Sequence, residues 1–240
     1  MKNSKEYGKK VAKLYRSLKQ KHAKVKKREF DDPAKAIVYA IVSENMRKSA
    51  AKSVFKKMGA HFVDSNDLRV SRTEEIHDII DIANGDSEKI VSNLTEFLGA
   101  IFIKYDTVNL KELKEIGKRQ AKKDLEGLGM LSRFVICYCF LTSLGGHAIP
   151  LTKRMIEYLK DGELAHPDAS DDDIEGFLER QISSANAYEF YTLMREQSEK
   201  GRKNKPKPAK TQPASKKTSK KKTKEPAKKK SKKAAKAKNK

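Results

Sequence analysis

Leu125-Glu126-Gly127-Leu128-Gly129-Met130-Leu131-Ser132-Arg133 sets two glycines on either side of one aliphatic residue, between two segments of helical pattern. Glycine adopts positive φ without strain and, having no Cβ, lets the N–H groups of a tight turn approach a phosphate oxygen. The positive end of the helix that follows adds to the attraction. A phosphate-gripping helix-hairpin-helix is one reading, and a plain glycine turn packed by Leu125 and Leu128 is the other. The flanking residues have to separate them.

Upstream, Leu110, Leu113 and Ile116 recur every third residue, and Ala121 and Leu125 carry the stripe into the turn, which predicts a helix leading up to it. Downstream, Phe134-Val-Ile-Cys-Tyr-Cys-Phe-Leu141 is an apolar run of helical type, and Ser143-Leu-Gly-Gly-His-Ala-Ile-Pro150 then breaks the chain. Helix, glycine hairpin, buried helix, Gly/Pro loop, helix: in this order the chain resembles the HhH-GPD superfamily of base-excision DNA glycosylases, which includes endonuclease III. A second region carries the same resemblance. Asp32-Pro33 is a cap-plus-proline helix start. Ile41-Val-Ser43-Glu44-Asn45-Met46 with Ala51 and Phe55 is similar to the family's I-L-S-Q-N-T segment and the A-x-x-x-F that follows it. Phe62 to Leu68 and Glu74-Glu75-Ile76 match its short helices, and Gly85 with Lys89 its G-x-x-x-x-K turn, one residue shorter here. The resemblance spans Phe30 to Ser198.

Charge divides the chain into three. Residues 1–28 hold 12 Lys/Arg against one acid and residues 200–240 hold 20 against one, while 29–199 hold 22 against 30, so the net +22 belongs to the two ends. The last forty residues lack Val, Ile, Leu and aromatics, which predicts a disordered Lys-rich tail over 200–240. It resembles the tails of linker histones and histone-like bacterial proteins. A DNA-tethering arm, an arm for RNA or ribosomes, and a solubility tail all fit that composition. At the other end Val11, Leu14, Tyr15 and Leu18 recur at helical spacing among lysines, which predicts an amphipathic basic helix. The resemblance implies that it crosses to the C-terminal lobe; a membrane-surface helix is the alternative.

No signal peptide and no membrane span is visible, so an intracellular protein is expected, associated with the nucleoid or, in a eukaryote, the nucleus. Cys137 and Cys139 are the only cysteines and diverge on one predicted helix. The four-cysteine iron–sulfur loop of many endonuclease III-type enzymes has no counterpart, and neither an iron–sulfur cluster nor any other cofactor is expected. The histidines show no metal spacing, and Asp171-Asp172-Asp173 reads as the start of a helix.

The resemblance also says where the chemistry should be. In bifunctional members the second residue after the hairpin's last glycine is a lysine that attacks C1′; here it is Leu131. An aspartate after the Gly/Pro loop supports the nucleophile or the oxocarbenium-like charge; aligning that loop puts Leu151 there. Lys153 is a possible substitute amine, and Glu157, Asp161 and Glu163 are the nearby carboxylates. The family residue that enters the DNA gap left by a flipped base is here Glu44, followed by Asn45. A carboxylate there could accept a hydrogen bond from cytosine N4. Lys118, Arg119, Lys122, Lys123 and Arg133 surround the hairpin.

These readings predict an all-α, two-lobed fold of helix-hairpin-helix glycosylase type. It comprises a basic N-terminal helix over 1–29 on the second lobe, a six-helix lobe over 30–143 with the hairpin at 110–140, a second helical lobe over 144–199, and the tail. The expected partner is double-stranded DNA, bound by a monomer through Gly127, Leu128, Gly129, Arg133, Lys118 and Lys122, with the family's catalytic pair lost. A working glycosylase or lyase with relocated residues is the first alternative. A histone-like DNA-packaging protein is the second.

Overall fold

The computed structural model describes residues 3–80 and 86–200, with backbone alone at Asp86. The tail beyond Lys200 and the turn at Gly85 lie outside the described residues. Those described form α1 (Ser4–Lys21), α2 (Pro33–Glu44), α3 (Lys48–His61), α4 (Ser65–Val70), α5 (Thr73–Ile80), α6 (Asp86–Tyr105), a 3-10 turn (Lys111–Lys114), α7 (Lys118–Glu126), α8 (Arg133–Thr142), α9 (Lys153–Asp161), α10 (Asp171–Gln181) and α11 (Ser184–Glu199), with no strand. None of these helices is long and apolar enough to cross a membrane.

Two helices are apolar on every face and therefore have to sit in the middle. α2 buries all residues from Ala36 to Ser43, α8 all from Phe134 to Thr142, and the two pack against each other. Tyr39 and Tyr138 meet between them with ring centroids 5.4 Å apart. Around α2 gather α3, α6 and the 3-10 turn, with α4 and α5 on α6, which makes the first lobe. In the second, α1 lies on α10 and α11 through Val11 and Leu18, and α9 lies on α11. α11 also touches α8 and so joins the lobes.

Asp32 decides where α2 begins and where the hairpin segment enters. Its Oδ1 accepts the Ala34 N–H at 2.8 Å, capping the helix ahead of Pro33, and the Leu110 N–H at 3.0 Å. One buried carboxylate oxygen thus serves two elements 78 residues apart.

Two expectations are corrected. Where Leu110, Leu113 and Ile116 recur every third residue, the chain forms only a 3-10 turn over Lys111–Lys114, with Leu113 buried in it. Gly117, at φ 83°, then turns the chain before α7 starts, and Ile116 is left 45 % exposed. The described residues of 30–143 hold seven α-helices where six were expected; the short helix expected over Phe62 to Leu68 is α4, which Asp64 caps by accepting the Asn66 and Asp67 N–H groups.

Asp32→Ala removes the cap and strands the Leu110 N–H. A loss of about 2–4 kcal/mol is expected in urea unfolding, from about 1 for the cap and about 1–3 for a buried unpaired donor. A loss below about 1 kcal/mol would mean that the Leu110 contact contributes nothing.

Candidate nucleic-acid interface

The hairpin is closed by its own backbone. Gly127 N–H donates to Lys123 O at 2.8 Å, Leu128 to Leu125 O at 3.2 Å, Gly129 to Glu126 O at 3.2 Å and Met130 to Leu128 O at 2.9 Å. Only one of its two glycines uses the left-handed region. Gly129 sits at φ 73°, whereas Gly127 is right-handed at φ −68° and ends α7. A Cβ on Gly127 would lie 3.3 Å from Lys123 O, so its lack of a side chain relieves crowding. Because the amides from Gly127 to Met130 are already bonded, the donors left over are those at the start of α8, where no intrahelical carbonyl is available. Ser132 caps this helix and takes the Val135 N–H at 3.2 Å, a signal the sequence reading passed over.

The basic residues around the turn differ in what they are free to do. Arg133 is held by Glu175 through two hydrogen bonds of 2.7 and 3.2 Å, and by Asp172 at 2.8 Å. Lys118 donates to Gly145 O at 2.6 Å, which ties α7 to the Gly/Pro loop, and Lys122 lies over the Phe140 ring. Arg119 and Lys123 are exposed and carry no ion pair among the described residues. The two cations most open to a phosphate are therefore ones that the sequence reading ranked behind Lys118, Lys122 and Arg133.

Leu131 is half-buried and packs on the core, and Leu151 is buried just before Thr152, whose Oγ1 caps α9. Lys153, Glu157, Asp161 and Glu163 are exposed. Glu44 closes α2, Asn45 is its C-cap, and both are half-buried. Asp171, Asp172 and Asp173 form the first turn of α10 behind the Ser170 cap. No group of three or more His, Cys, Asp or Glu among the described residues can hold a metal ion. Cys137 donates to Glu175 and Cys139 to Pro33 O. Burial pushes both thiols up, and two cysteines in 240 residues do not fit a four-cysteine cluster.

Two clusters escaped the sequence reading. Under the hairpin, Glu175 on α10 is 4 % exposed and shared by Arg133 and Cys137, with Glu179 one turn on. Between the lobes, Arg195 on α11 is 1 % exposed and bonds to Tyr191, Ser43, Met46 and Glu199. A faint signal existed for Arg195, since it follows Tyr191 by four residues at the edge of the stripe Ala187, Phe190, Tyr191, Met194.

No model of a known protein family matches this chain, and no curated protein does. Solved structures match its fold. An endonuclease III trapped as a covalent intermediate with DNA aligns at TM-score 0.58 and 16 % identity, over 81 % of this chain and 85 % of that one. An 8-oxoguanine glycosylase/lyase of Clostridium acetobutylicum in complex with duplex DNA aligns at 0.62 and 14 %, over 83 % and 71 %. The 3-methyladenine DNA glycosylase of H. pylori bound to 1,N6-ethenoadenine aligns at 0.58 and 16 %, over 82 % and 97 %. The fold is the all-α, two-lobed fold of the helix-hairpin-helix DNA glycosylases.

Burial, then the charge of Glu175, raises the Glu179 carboxyl above its ordinary 4.5, against the pull of Lys122, His147 and Arg133. The folded state therefore holds this proton more tightly than the unfolded chain. The stability it contributes is complete below the ordinary carboxylate pKa and is lost as pH rises through the raised one. Glu179→Gln should accordingly raise the melting temperature at pH 7 and change it little below about pH 4. An equal gain at both pH values in thermal unfolding would show that Glu179 is not strained by its charge.

Proposed function

We propose that this protein binds double-stranded DNA through the hairpin and the first turn of α8, in a glycosylase-type fold that lacks the usual catalytic pair. The observation that carries the reading is local. Gly129 at positive φ turns the chain toward α8, with three residues between it and Arg133, so the hairpin leads into the positive end of a helix dipole, and the preceding helix α7 carries the exposed cations Arg119 and Lys123. Such a site takes a phosphate of any sequence, and it suits a protein that grips backbone. The solved structures of like fold that hold DNA support the same direction.

Catalysis is a separate matter. Leucine at 131 can neither attack C1′ nor hold a proton, and leucine at 151 cannot stabilise an oxocarbenium-like charge. The buried carboxylate Glu175 is no substitute, because Arg133 and Cys137 already occupy it. The reading includes no iron–sulfur cluster. The Lys-rich residues 200–240, with 20 Lys/Arg, supply a sequence-independent tether.

Fluorescence anisotropy with a duplex oligonucleotide tests this directly. The full-length protein should bind with a steep salt dependence, each neutralised phosphate adding about −0.9 to the slope of log K against log[salt]. Removing residues 201–240 should flatten the slope and lower affinity by orders of magnitude. Arg119→Glu with Lys123→Glu in the shortened protein should remove most of the affinity that remains. Shortened protein that binds equally well with and without those charges would place the contact elsewhere. Excision of oxidised, alkylated or deaminated bases at ordinary enzyme turnover would overturn the non-catalytic part.

A further inference from the structure

Two cavities on the first lobe join into one groove, because Lys35, Asp64 and Ser65 line both. The smaller, of about 250 Å³, is apolar and is lined by Val38 of α2, Phe55 and Met58 of α3, Phe62, and Leu68 of α4. Val63 also lines it and is 92 % exposed, which is unusual for a large aliphatic side chain beside an apolar cavity. The larger, of about 580 Å³, is lined by Asp31, Asp32, Asp64 and Asp106 against Lys35 and Lys111.

The fold uses only some of these groups. Asp32 and Asp64 cap helices, but Asp31 and Asp106 are exposed and their side chains make no hydrogen bond or ion pair among the described residues. Gly59, a helical residue of α3, lines the apolar half, and a Cβ there would meet nothing within 4 Å. Packing within the chain therefore does not call for glycine, although glycine weakens a helix relative to alanine. Its missing side chain keeps the apolar half open.

We propose that this groove docks a basic segment of a partner protein, with an aliphatic or aromatic anchor in the apolar half and lysine or arginine beside Asp31 and Asp106. Charge complementarity selects the occupant. The Lys-rich ends of the chain repel a cationic peptide, so a groove with an excess of carboxylates is where one can be held. The chain's own residues 201–240 match the charge but contain no Val, Ile, Leu, Met or aromatic residue to fill the apolar half. No residue of the hairpin lines the groove, so the proposal is independent of the DNA-binding reading.

The test uses full-length protein and three labelled peptides of one length, read by fluorescence anisotropy. The probe sets two leucines one helical turn apart among lysines; one control has serine for the leucines, the other glutamate for the lysines. The probe should bind at least about tenfold more tightly than either control. Gly59→Leu fills the apolar half, and it should weaken the probe about tenfold while raising the melting temperature. Because that variant improves the helix, its lost binding is not a loss of fold. Asp31→Lys with Asp106→Asn removes the free carboxylates and keeps, at φ 54°, a residue type that accepts the left-handed region. It should weaken the probe by a similar factor. A serine control as tight as the probe, or a glutamate control tighter than it, would overturn the proposal. So would a probe that binds Gly59→Leu as it binds the wild type, or a wild type that binds none of the three. A wild type that dimerises in sedimentation, with the dimer lost on Gly59→Leu, would give the groove to a second copy of the chain and overturn the partner.

Discussion

A guanidinium that is 1 % exposed has to be surrounded by acceptors, and the ones available to Arg195 belong to different parts of the fold. Ser43 and Met46 belong to the first lobe, Tyr191 and Glu199 to the helix that carries the arginine itself. Satisfying one side chain therefore fixes α11 against the end of α2. Because α2 is packed along α8, the start of the hairpin's second helix inherits that placement. Burial works against the charge, and Tyr191 and Glu199 outweigh it, so the arginine stays firmly protonated. The Tyr191 hydroxyl, itself buried, is pushed up to about 12 and remains a neutral partner.

The same logic recurs on a smaller scale. Asp32 ties the start of α2 to Leu110, and Lys118 ties α7 to Gly145 O. The hairpin lies between these ties and is closed by its own backbone hydrogen bonds. What it offers to a ligand is the positive end of α8, where Ser132 takes the Val135 N–H and no intrahelical carbonyl reaches the N–H groups of Arg133 and Phe134, not the amides of the glycine turn itself. The placement of charge follows. Arg133, the cation nearest in sequence to that helix end, is taken by Glu175 and Asp172, while Arg119 and Lys123 stay open.

Much of this was legible in the residues. The apolar run Phe134–Leu141 leaves no polar face and demands a central helix, and Asp32-Pro33 announces the start of its partner. G-x-G between helical patterns placed the hairpin. The failures have physical causes. Leu110, Leu113 and Ile116 repeat with a period of three, which α- and 3-10 helices both accept, and the chain forms only a 3-10 turn over Lys111–Lys114. Arg195 and Glu175 look like surface charges in a linear pattern, because burial of a charge is decided by partners distant in the chain. The pairing of Arg133 was hidden for the same reason, since it finds its acids 39 and 42 residues later.

Amide chemical-shift mapping of the full-length protein against a short duplex tests the central claim most directly, because it reads the backbone of the hairpin without altering it. The account predicts that the largest changes fall on Gly129 to Phe134, at the junction of the turn and α8, with further changes at Arg119 and Lys123. Changes confined to α1 and the Lys-rich tail, with Gly129 to Phe134 unmoved under conditions of saturated binding, would contradict it.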